Sequence, residues 1–451
     1  MSLGRRKSDT LTQNQWDHSV PLYGTSALHY GTACGGAPEG TRIMRIGARQ
    51  VAALALLVPL VLLAASCGGS GGGNSATDSE ITIGASIPLS GPLAGFGSFQ
   101  RWGYQHAVDQ VNQAGGLQVG GAKRKVRLIL LDDKTDPNTT SANTDTLITR
   151  NKVTALLGSC TPALVNAGGE VADRNRVPMV TGCAPLEAFR SVKRWQYVWD
   201  LFFHEPDLAE APFKTLQAAG VKTNGKVAIV HDNGPDGAVV GGQLWPKLAA
   251  RYGYTVVSNQ SFPVDNTQFN SLISNAKATG AEVFLIDAVT PQAVTIRKQM
   301  ASAGYAPKVI VAEKGAEPVQ FAQAVGDLGD GVMVGGYWDA SFPYPGAAEL
   351  RRAFERQTGR TYSQHIADSY AAAQILLDAV SAAGSTEATK LNQAIGRTDK
   401  TYVVGPVKFD AQHTSKLPIA ELQWQAGQTR VVWPAERATG KLLFPVPGSG
   451  A

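Results

Sequence analysis

Short apolar runs rich in β-branched residues alternate with stretches of helical periodicity along most of the chain. The first unit is the clearest: the run Ile81–Ile87 predicts a strand, and a turn of Pro, Ser and Gly follows it. Residues 97–114 then predict an amphipathic helix that ends at Gly115 and Gly116. Further strands are predicted at residues 126–131, 153–157, 177–180, 197–199, 226–230, 255–259, 282–286, 309–311 and 331–334. Helices are predicted between them, among others at residues 138–150, 268–279, 291–303 and 318–325. This alternation is typical of an α/β fold whose parallel sheets are covered by helices on both faces.

The pattern changes after Gly335. A loop rich in aromatic residues and proline leads into helices and then into short strands. The helices are predicted near residues 347–358, 364–383 and 387–396, and the strands at residues 402–404, 407–409, 419–424 and 430–433.

A strand that ends in a small-residue loop and feeds a helix leaves backbone N–H groups free to bind an anion. The segment from Ile81 to Gly116 has this pattern. It predicts a site for a small polar ligand at the carboxyl ends of the strands.

An export signal is predicted before the first strand. Residues 51–65 form an apolar run flanked by arginines and by the small residues before Cys67. The run is too short for a spanning helix, which needs about 20 residues. The cysteine resembles that of a bacterial lipoprotein signal, so we expect a signal peptide at residues 44–66, lipid on Cys67 and a Gly/Ser tether at residues 67–79. An ordinary signal peptide with a chance cysteine is the alternative.

Residues 1–43 precede this signal and have no clear periodicity. Because export signals begin near the N-terminus, we expect translation to start at Met44. Residues 1–43 would then stem from a wrongly assigned gene start. A genuine cytoplasmic extension is the alternative.

Composition narrows the class of protein. From Cys67 onward the chain has 385 residues (451 less the first 66), which suits two domains better than one core. This part carries 35 Lys and Arg against 33 Asp and Glu, a net charge of +2 without a dense basic patch. Nucleic acid is therefore excluded as a partner.

Six segments, in order along the chain, resemble one family. They are IGASIPLSGPLAGFG, AVDQVNQAGGL, LILLDDKTDP, VPMVTGCAP, KVAIVHDN and GPVKFD. Over about residues 80–437 the chain resembles the branched-chain amino-acid-binding branch of the periplasmic binding proteins, the receptor subunits of ABC importers. The resemblance implies the type I periplasmic-binding-protein fold, in which two doubly wound parallel-sheet lobes are joined by a three-crossing hinge. The ligand cleft would lie between the lobes.

The resemblance also implies how the chain divides. Lobe one is expected at residues 80–201 plus 335–405, lobe two at residues 202–334 plus 406–437, and a C-terminal tail at residues 438–451. The three crossings are expected near residues 201–204, 335–337 and 405–406.

Two loops of lobe one match family loops that hold an amino acid's carboxylate and ammonium through backbone and hydroxyl groups. The candidate residues are Ser159, Cys160, Thr161, Thr181, Cys183 and Ala184. The alternative for the Ser and Thr side chains is that they only cap the helices that follow.

The other candidates follow from the same resemblance. Glu313 matches the acidic residue that pairs with the ligand ammonium, whereas Lys314 beside it suits an acid ligand or a surface carboxylate. A solvated loop charge is the alternative for Glu313. The aromatic residues expected to wall or close the pocket are Phe96, Tyr337 and Trp338, and a place in the core is the alternative for each.

Asp236 departs from the family pattern. Members that bind amino acids often carry an aromatic residue at this position, so a charge there changes the side-chain pocket. The ligand class therefore stays open between a polar amino acid, an amide and another small acid.

Cys160 and Cys183 are the two cysteines left in the exported part once Cys67 is assigned to lipid. A disulfide between them is expected in an oxidising compartment. They follow neighbouring strands in the expected strand order, which brings their Cα atoms within bonding range. Two unpaired buried cysteines are the alternative.

Motifs for catalysis are absent from the sequence. Residues 220–226 have the spacing of a phosphate-binding loop, but Val227 replaces the required Ser or Thr and a strand follows instead of preceding. The histidines at 106, 204, 231, 365 and 413 are scattered without a metal-ligand pair. We therefore expect no enzyme, no cofactor and no metal.

These observations predict a monomeric, extracytoplasmic solute-binding lipoprotein, held to the outer face of the cell membrane by lipid on Cys67. It would capture an amino acid or a related small polar ligand by hinge closure and deliver it to the permease subunits of an ABC importer. The alternative is a receptor module of the same fold that signals through a membrane partner without transport, because fold alone does not decide function.

Overall fold

The computed structural model describes residues 80–449 of the chain. The predictions for residues 1–43, the signal peptide, lipid on Cys67 and the tether fall outside the described residues. No helix within the described range is long and apolar enough to cross a membrane.

The strands in residues 80–449 are short and mostly buried. In chain order they are β1 (Ile81–Ile87), β2 (Leu117–Val119), β3 (Ala122–Arg124), β4 (Val126–Asp132), β5 (Ala155–Leu157), β6 (Met179–Thr181), β7 (Val198–Phe202), β8 (Lys226–Asp232), β9 (Thr255–Phe262), β10 (Val283–Ala288), β11 (Val309–Lys314), β12 (Met333–Gly336), β13 (Asp399–Tyr402), β14 (Gly405–Lys408), β15 (Thr414–Lys416), β16 (Ala420–Gln425) and β17 (Gln428–Trp433).

The helices alternate with these strands. They are α1 (Ala94–Gln113), α2 (Pro137–Thr149), α3 (Pro162–Arg174), α4 (Leu186–Val192), α5 (Glu205–Ala218), α6 (Pro235–Val239), α7 (Trp245–Arg251), α8 (Asn270–Ala278), α9 (Thr290–Ser302), α10 (Gln320–Val325), α11 (Ala347–Thr358), α12 (His365–Ala383) and α13 (Ala388–Gly396). A π-helical turn, Val240–Leu244, joins α6 to α7.

Two large sheets organise these elements. The first has the order β15-β7-β6-β5-β1-β4 and is parallel throughout. The second has the order β17-β16-β12-β11-β10-β8-β9, in which β8 to β12 are parallel and β16 and β17 antiparallel. We call the first sheet with its helices lobe one and the second sheet with its helices lobe two. The predicted α/β architecture of two mainly parallel sheets is confirmed.

Buried strands explain why the sequence pattern predicted this architecture. All seven residues of β1 and all six of β10 are buried, as expected for strands covered by helices on both faces. Close packing also fixes one glycine of α1: a Cβ on Gly97 would lie 1.9 Å from the carbonyl oxygen of Pro88, so only glycine fits there.

The third crossing between the lobes differs from the expectation. The short strand β15 pairs with β7, with Thr414 opposite Asp200 and Lys416 opposite Phe202, so the chain is still in lobe one at this point. It enters lobe two between β15 and β16, at residues 417–419, and not at residues 405–406. Gly335 and Gly336 also belong to β12 of lobe two, so the second crossing begins after them.

Residues 438–449 pack on lobe two, although they were expected to form a tail. The backbone N–H of Val446 donates to the carbonyl of Lys308 at 3.0 Å, and that of Leu443 donates to Gln423 Oε1 at 2.7 Å. Val446 is buried as a result, beside the residues that precede β11 and β12.

Candidate functional site

The carboxyl-end loops of the two lobes approach each other. Helix α3 of lobe one contacts α6 of lobe two. At the start of α1, a Cβ on Gly95 would lie 3.5 Å from Cβ of Pro318, in the loop after β11. The candidate site is therefore built from strand ends and helix starts of both lobes, where free backbone donors and acceptors concentrate.

The two predicted loops of lobe one lie side by side. Cys160 and Cys183 form a disulfide with their Cα atoms 4.8 Å apart. The backbone N–H of Thr161 donates to the carbonyl of Cys183 at 2.9 Å. Thr161 has a positive φ of 70°, which is unusual for a β-branched residue. The loops are thus fixed to each other by one covalent bond and one hydrogen bond.

The hydroxyl groups of these loops have different environments. Ser159 is buried and donates through Oγ to Asp133 Oδ2 at 2.7 Å, so its side chain serves lobe one internally. Thr161 is the N-cap residue that precedes α3, and its side chain makes no capping bond. Thr181 and Ala184 are fully buried, and Thr181 Oγ1 has no hydrogen-bond partner among the described residues.

His365, the first residue of α12, is the centre of a buried network that the sequence did not predict. Its Nε2 lies 2.5 Å from Glu317 Oε2 of lobe two, and its Nδ1 lies 2.8 Å from Asp368 Oδ2 of lobe one. Burial opposes the charge on the ring, but Asp368 and Glu317 together raise the pKa of His365 to about 10. The imidazolium therefore joins the two lobes by an ion pair; we call Glu317, His365 and Asp368 the histidine hub.

Aromatic residues surround the histidine hub. The ring of Phe96 meets His365 edge to face at 4.8 Å between centroids. The hydroxyl of Tyr337 donates to Asp368 Oδ2 at 2.5 Å, and its ring lies 4.9 Å from that of Phe202. The structure thus brings Phe96 and Tyr337 together. Trp338 is directed elsewhere, since its Nε1 donates to the carbonyl of Val403 at 2.8 Å within lobe one.

Lobe two contributes a second charged group, centred on Lys314. The Nζ atom lies 2.7 Å from Asp232 Oδ2, 2.8 Å from Asp236 Oδ2 and 3.0 Å from Asp287 Oδ1. We call these four residues the lysine cluster. Burial opposes the charge of Lys314, but Asp236, Asp287 and Asp232 raise its pKa. Burial raises the pKa of Asp287 to about 7 in spite of Lys314.

Glu313 lies inside lobe two. Its Oε2 accepts from the backbone N–H of Gly335 at 3.2 Å, and a Cβ on Gly335 would lie 2.7 Å from the same oxygen. Glu421, opposite Gly335 in the sheet, is fully buried and has no hydrogen-bond partner in the described part of the chain. Burial, with the charge of Glu317 and Asp287, raises the pKa of Glu313. Alternation along β11 separates Glu313 from Lys314, because successive side chains of a strand point to opposite faces.

The residues of the histidine hub and the lysine cluster that sequence reasoning missed are His365, Glu317, Asp368, Asp232 and Asp287. Asp287 directly follows the predicted strand at residues 282–286, and Asp232 comes two residues after the predicted strand at residues 226–230. The strand-end rule was therefore the signal that would have found them. His365 and Glu317 belong to different lobes and are 48 residues apart, so no local pattern relates them.

One group of residues in the described range has the spacing of metal ligands: Cys160, Cys183 and His365, whose ligand atoms lie within 4.8 Å of one another. Both sulfur atoms are in the disulfide, and both ring nitrogens lie against carboxylates. The group therefore offers no free ligand atom as it stands.

Comparisons with known proteins agree with this geometry. The model of the family described as periplasmic binding protein matches residues 80–428. The chain belongs to the periplasmic binding protein family. It is 25% identical over 394 residues to Leu/Ile/Val-binding protein homolog 7 of Brucella suis biovar 1 (strain 1330), covering 83% of this chain and 96% of that relative.

Solved structures of the family share the fold. The branched-chain amino acid transporter substrate-binding protein LivJ from Streptococcus pneumoniae, in complex with isoleucine, has a TM-score of 0.69 and 20% identity, covering 81% of this chain and 100% of that one. A solute-binding protein of an ABC transporter from R. palustris, in complex with benzoate, has a TM-score of 0.69 and 18% identity, covering 82% of this chain and 97% of that one. The type I periplasmic-binding-protein fold is thereby confirmed. The family consists of solute-binding proteins of the ABC-transporter type, which act outside the cytoplasm.

Proposed function

We propose that this protein is the receptor of an ABC importer, anchored by lipid on Cys67, that closes around an amino acid or a related small polar ligand and delivers it to the permease. The observation that carries the proposal is the histidine hub, where a buried imidazolium of lobe one meets a carboxylate of lobe two at 2.5 Å. Loops from both lobes and the aromatic rings of Phe96 and Tyr337 surround this point.

Alternating charges in the hub support a zwitterionic head group. A ligand carboxylate would be received by backbone N–H groups at the start of α3, beside Thr161, because Glu317 and Asp368 already occupy both ring nitrogens of His365. A ligand ammonium would be received by Glu317 and Asp368, whose carboxylates lie on either side of the ring. An acid without an ammonium would leave these buried carboxylates without a second cation, which is costly.

Closure follows from contacts to both lobes. A ligand favours the closed state only through interactions that the open state lacks. Glu317 belongs to lobe two and His365 to lobe one. A ligand group that contacts both residues therefore touches both lobes, and it does so only when the cleft is closed. The crossings at residues 203–204, 337–346 and 417–419 would absorb the hinge rotation.

We expect amino acids or their amides to raise the melting temperature of the protein in a thermal-shift screen, and benzoate to leave it unchanged. Ligand at 100 times its dissociation constant adds about 2.7 kcal/mol to the free energy of unfolding. The Glu317→Gln variant should lose the shift, whereas Glu313→Gln should keep it, because Glu313 lies inside lobe two. If only Glu313→Gln abolishes the shift, then Glu313, and not Glu317, contacts the ligand ammonium. A shift with benzoate alone would contradict the zwitterionic head group.

A further inference from the structure

The lysine cluster contains more negative than positive groups. Three aspartate carboxylates surround one ammonium, and the side chains of Asp232, Asp236, Asp287 and Lys314 are only 3%, 16%, 2% and 14% exposed. A buried carboxylate requires a partner of opposite charge, since desolvation otherwise disfavours its ionised form. One lysine balances one of the three carboxylate charges, so two carboxyl groups of the cluster have no cation of their own within the described residues.

Glu205, on a different element, provides an independent observation. It is the first residue of α5 and is fully buried, and neither of its carboxylate oxygens has a hydrogen-bond partner within residues 80–449. The charges of Asp236, Glu187, Asp287 and Lys314 all act on its carboxyl group. Such a buried and unpartnered acid is unusual in a native protein and requires an explanation.

These groups face the cleft between the lobes. Asp236 lies on α6, which contacts α3 of lobe one. The backbone N–H of Glu205 donates to Glu187 Oε2, on α4 of lobe one, at 2.8 Å. The backbone N–H of Glu317 donates to the carbonyl of Lys314 at 3.3 Å, so the histidine hub and the lysine cluster are neighbours at the end of β11. A ligand whose head group binds at the hub would extend toward the cluster.

We propose that the ligand carries a cationic group, an amine or a guanidinium, at the end remote from its head group, and that Asp236, Asp287 and Glu205 receive it. This inference rests on the proposed function, because it assigns a ligand class to the same cleft. An anionic side chain would meet surplus negative charge, and an aliphatic side chain would desolvate the carboxylates without replacing their hydration. A guanidinium or ammonium supplies the charge-assisted hydrogen bonds that the unpartnered oxygens lack.

The protonation of the acidic groups agrees with this assignment. Burial, followed by Asp236, Glu187 and Asp287, raises the pKa of Glu205 to about 9. Burial likewise raises the pKa of Asp287 to about 7. A bound cation favours the ionised form of each carboxyl group, so it replaces a proton that the site otherwise holds.

Isothermal titration calorimetry of the full-length chain with matched ligands tests the inference. The pairs are lysine with norleucine and arginine with citrulline, which differ in charge at nearly constant size. We expect the cationic member of at least one pair to bind at least tenfold more tightly than its neutral partner. Asp236→Asn should reduce this ratio to near one, and Asp287→Asn serves as a second variant if the first does not fold. Asp265→Asn, an exposed aspartate of lobe two, should leave the ratio unchanged.

The outcomes separate this inference from the proposed function. The inference of a cationic side chain is overturned if the neutral ligands bind as tightly as the cationic ones. It is also overturned if Asp236→Asn leaves the ratio of the two affinities unchanged. In both cases the proposed amino-acid receptor is unaffected. If none of the four ligands binds but another amino acid or amide does, the inference is again overturned alone. Failure of every amino acid and amide to bind would overturn both.

Discussion

Replacing His365 with alanine should lower the free energy of unfolding by about 3–5 kcal/mol, the cost of removing one partner from a buried ion pair. Asp368 and Glu317 are 1% and 4% exposed at their side chains, so the variant leaves two carboxylates buried without their shared cation. The same variant should bind no ligand, because the cross-lobe contact is lost. Urea denaturation of the unliganded protein measures the first effect and calorimetry the second.

The matched test is a double-mutant cycle with Glu317→Gln and His365→Gln. The double variant should lose less stability than the sum of the single variants, because each single change leaves a charge that the other removes. A pH series adds a second readout. The folded-state pKa of His365 is about 10, above the ordinary 6.5, so its stabilising contribution is complete below pH 6.5 and is lost as the pH rises through 10. If the stability losses of the two single variants simply add, the ion pair does not stabilise the protein. The same follows if stability depends on pH in His365→Gln as it does in the wild-type protein.

The double variant Cys160→Ser/Cys183→Ser should lose about 3.5 kcal/mol of unfolding free energy. The two cysteines are 23 residues apart in sequence, and a cross-link of this length restricts the unfolded chain by about that amount in the chain-entropy model. Ligand affinity should fall as well, since the bond joins the two loops that border the site. The change is measurable as a lower melting temperature and a larger dissociation constant.

Reduction provides the control for the cysteine variant. The wild-type protein, once reduced in denaturant and refolded with its thiols blocked, should match the double variant, whereas the variant itself should not respond to reductant. Equal melting temperatures for the oxidised protein and the double variant would contradict a stabilising role for the bond. Equal ligand affinities would show that the hydrogen bond from Thr161 to Cys183 fixes the loops alone.

The strands of both sheets were predictable because burial on both faces leaves a local pattern. Runs such as those of β1 and β10 are buried over their whole length and rich in apolar and β-branched residues, and turn residues bound them. The strand-end rule then predicted which edge of each sheet would hold the site. Both predictions depend only on residues that are neighbours in the sequence.

The features that were not predictable depend on long-range contacts. Strand β15 has the sequence Thr-Ser-Lys, which gives no strand signal, and only its pairing with β7 makes it part of lobe one. Glu313 and Lys314 are adjacent in β11, and the sequence alone does not show which of the two side chains points into lobe two, where Glu313 Oε2 accepts from the backbone N–H of Gly335. His365 stays charged through Asp368 and Glu317, and Glu317 lies 48 residues away on the other lobe.

Small-angle X-ray scattering with and without the ligand found in the thermal-shift screen tests the central claim most directly. The claim is that one small polar molecule is held between the lobes and draws them together. We predict that saturating ligand lowers the radius of gyration of the wild-type protein, and that Glu317→Gln at the same ligand concentration keeps the larger value. A ligand that binds the wild-type protein while its radius of gyration stays constant would contradict capture by closure.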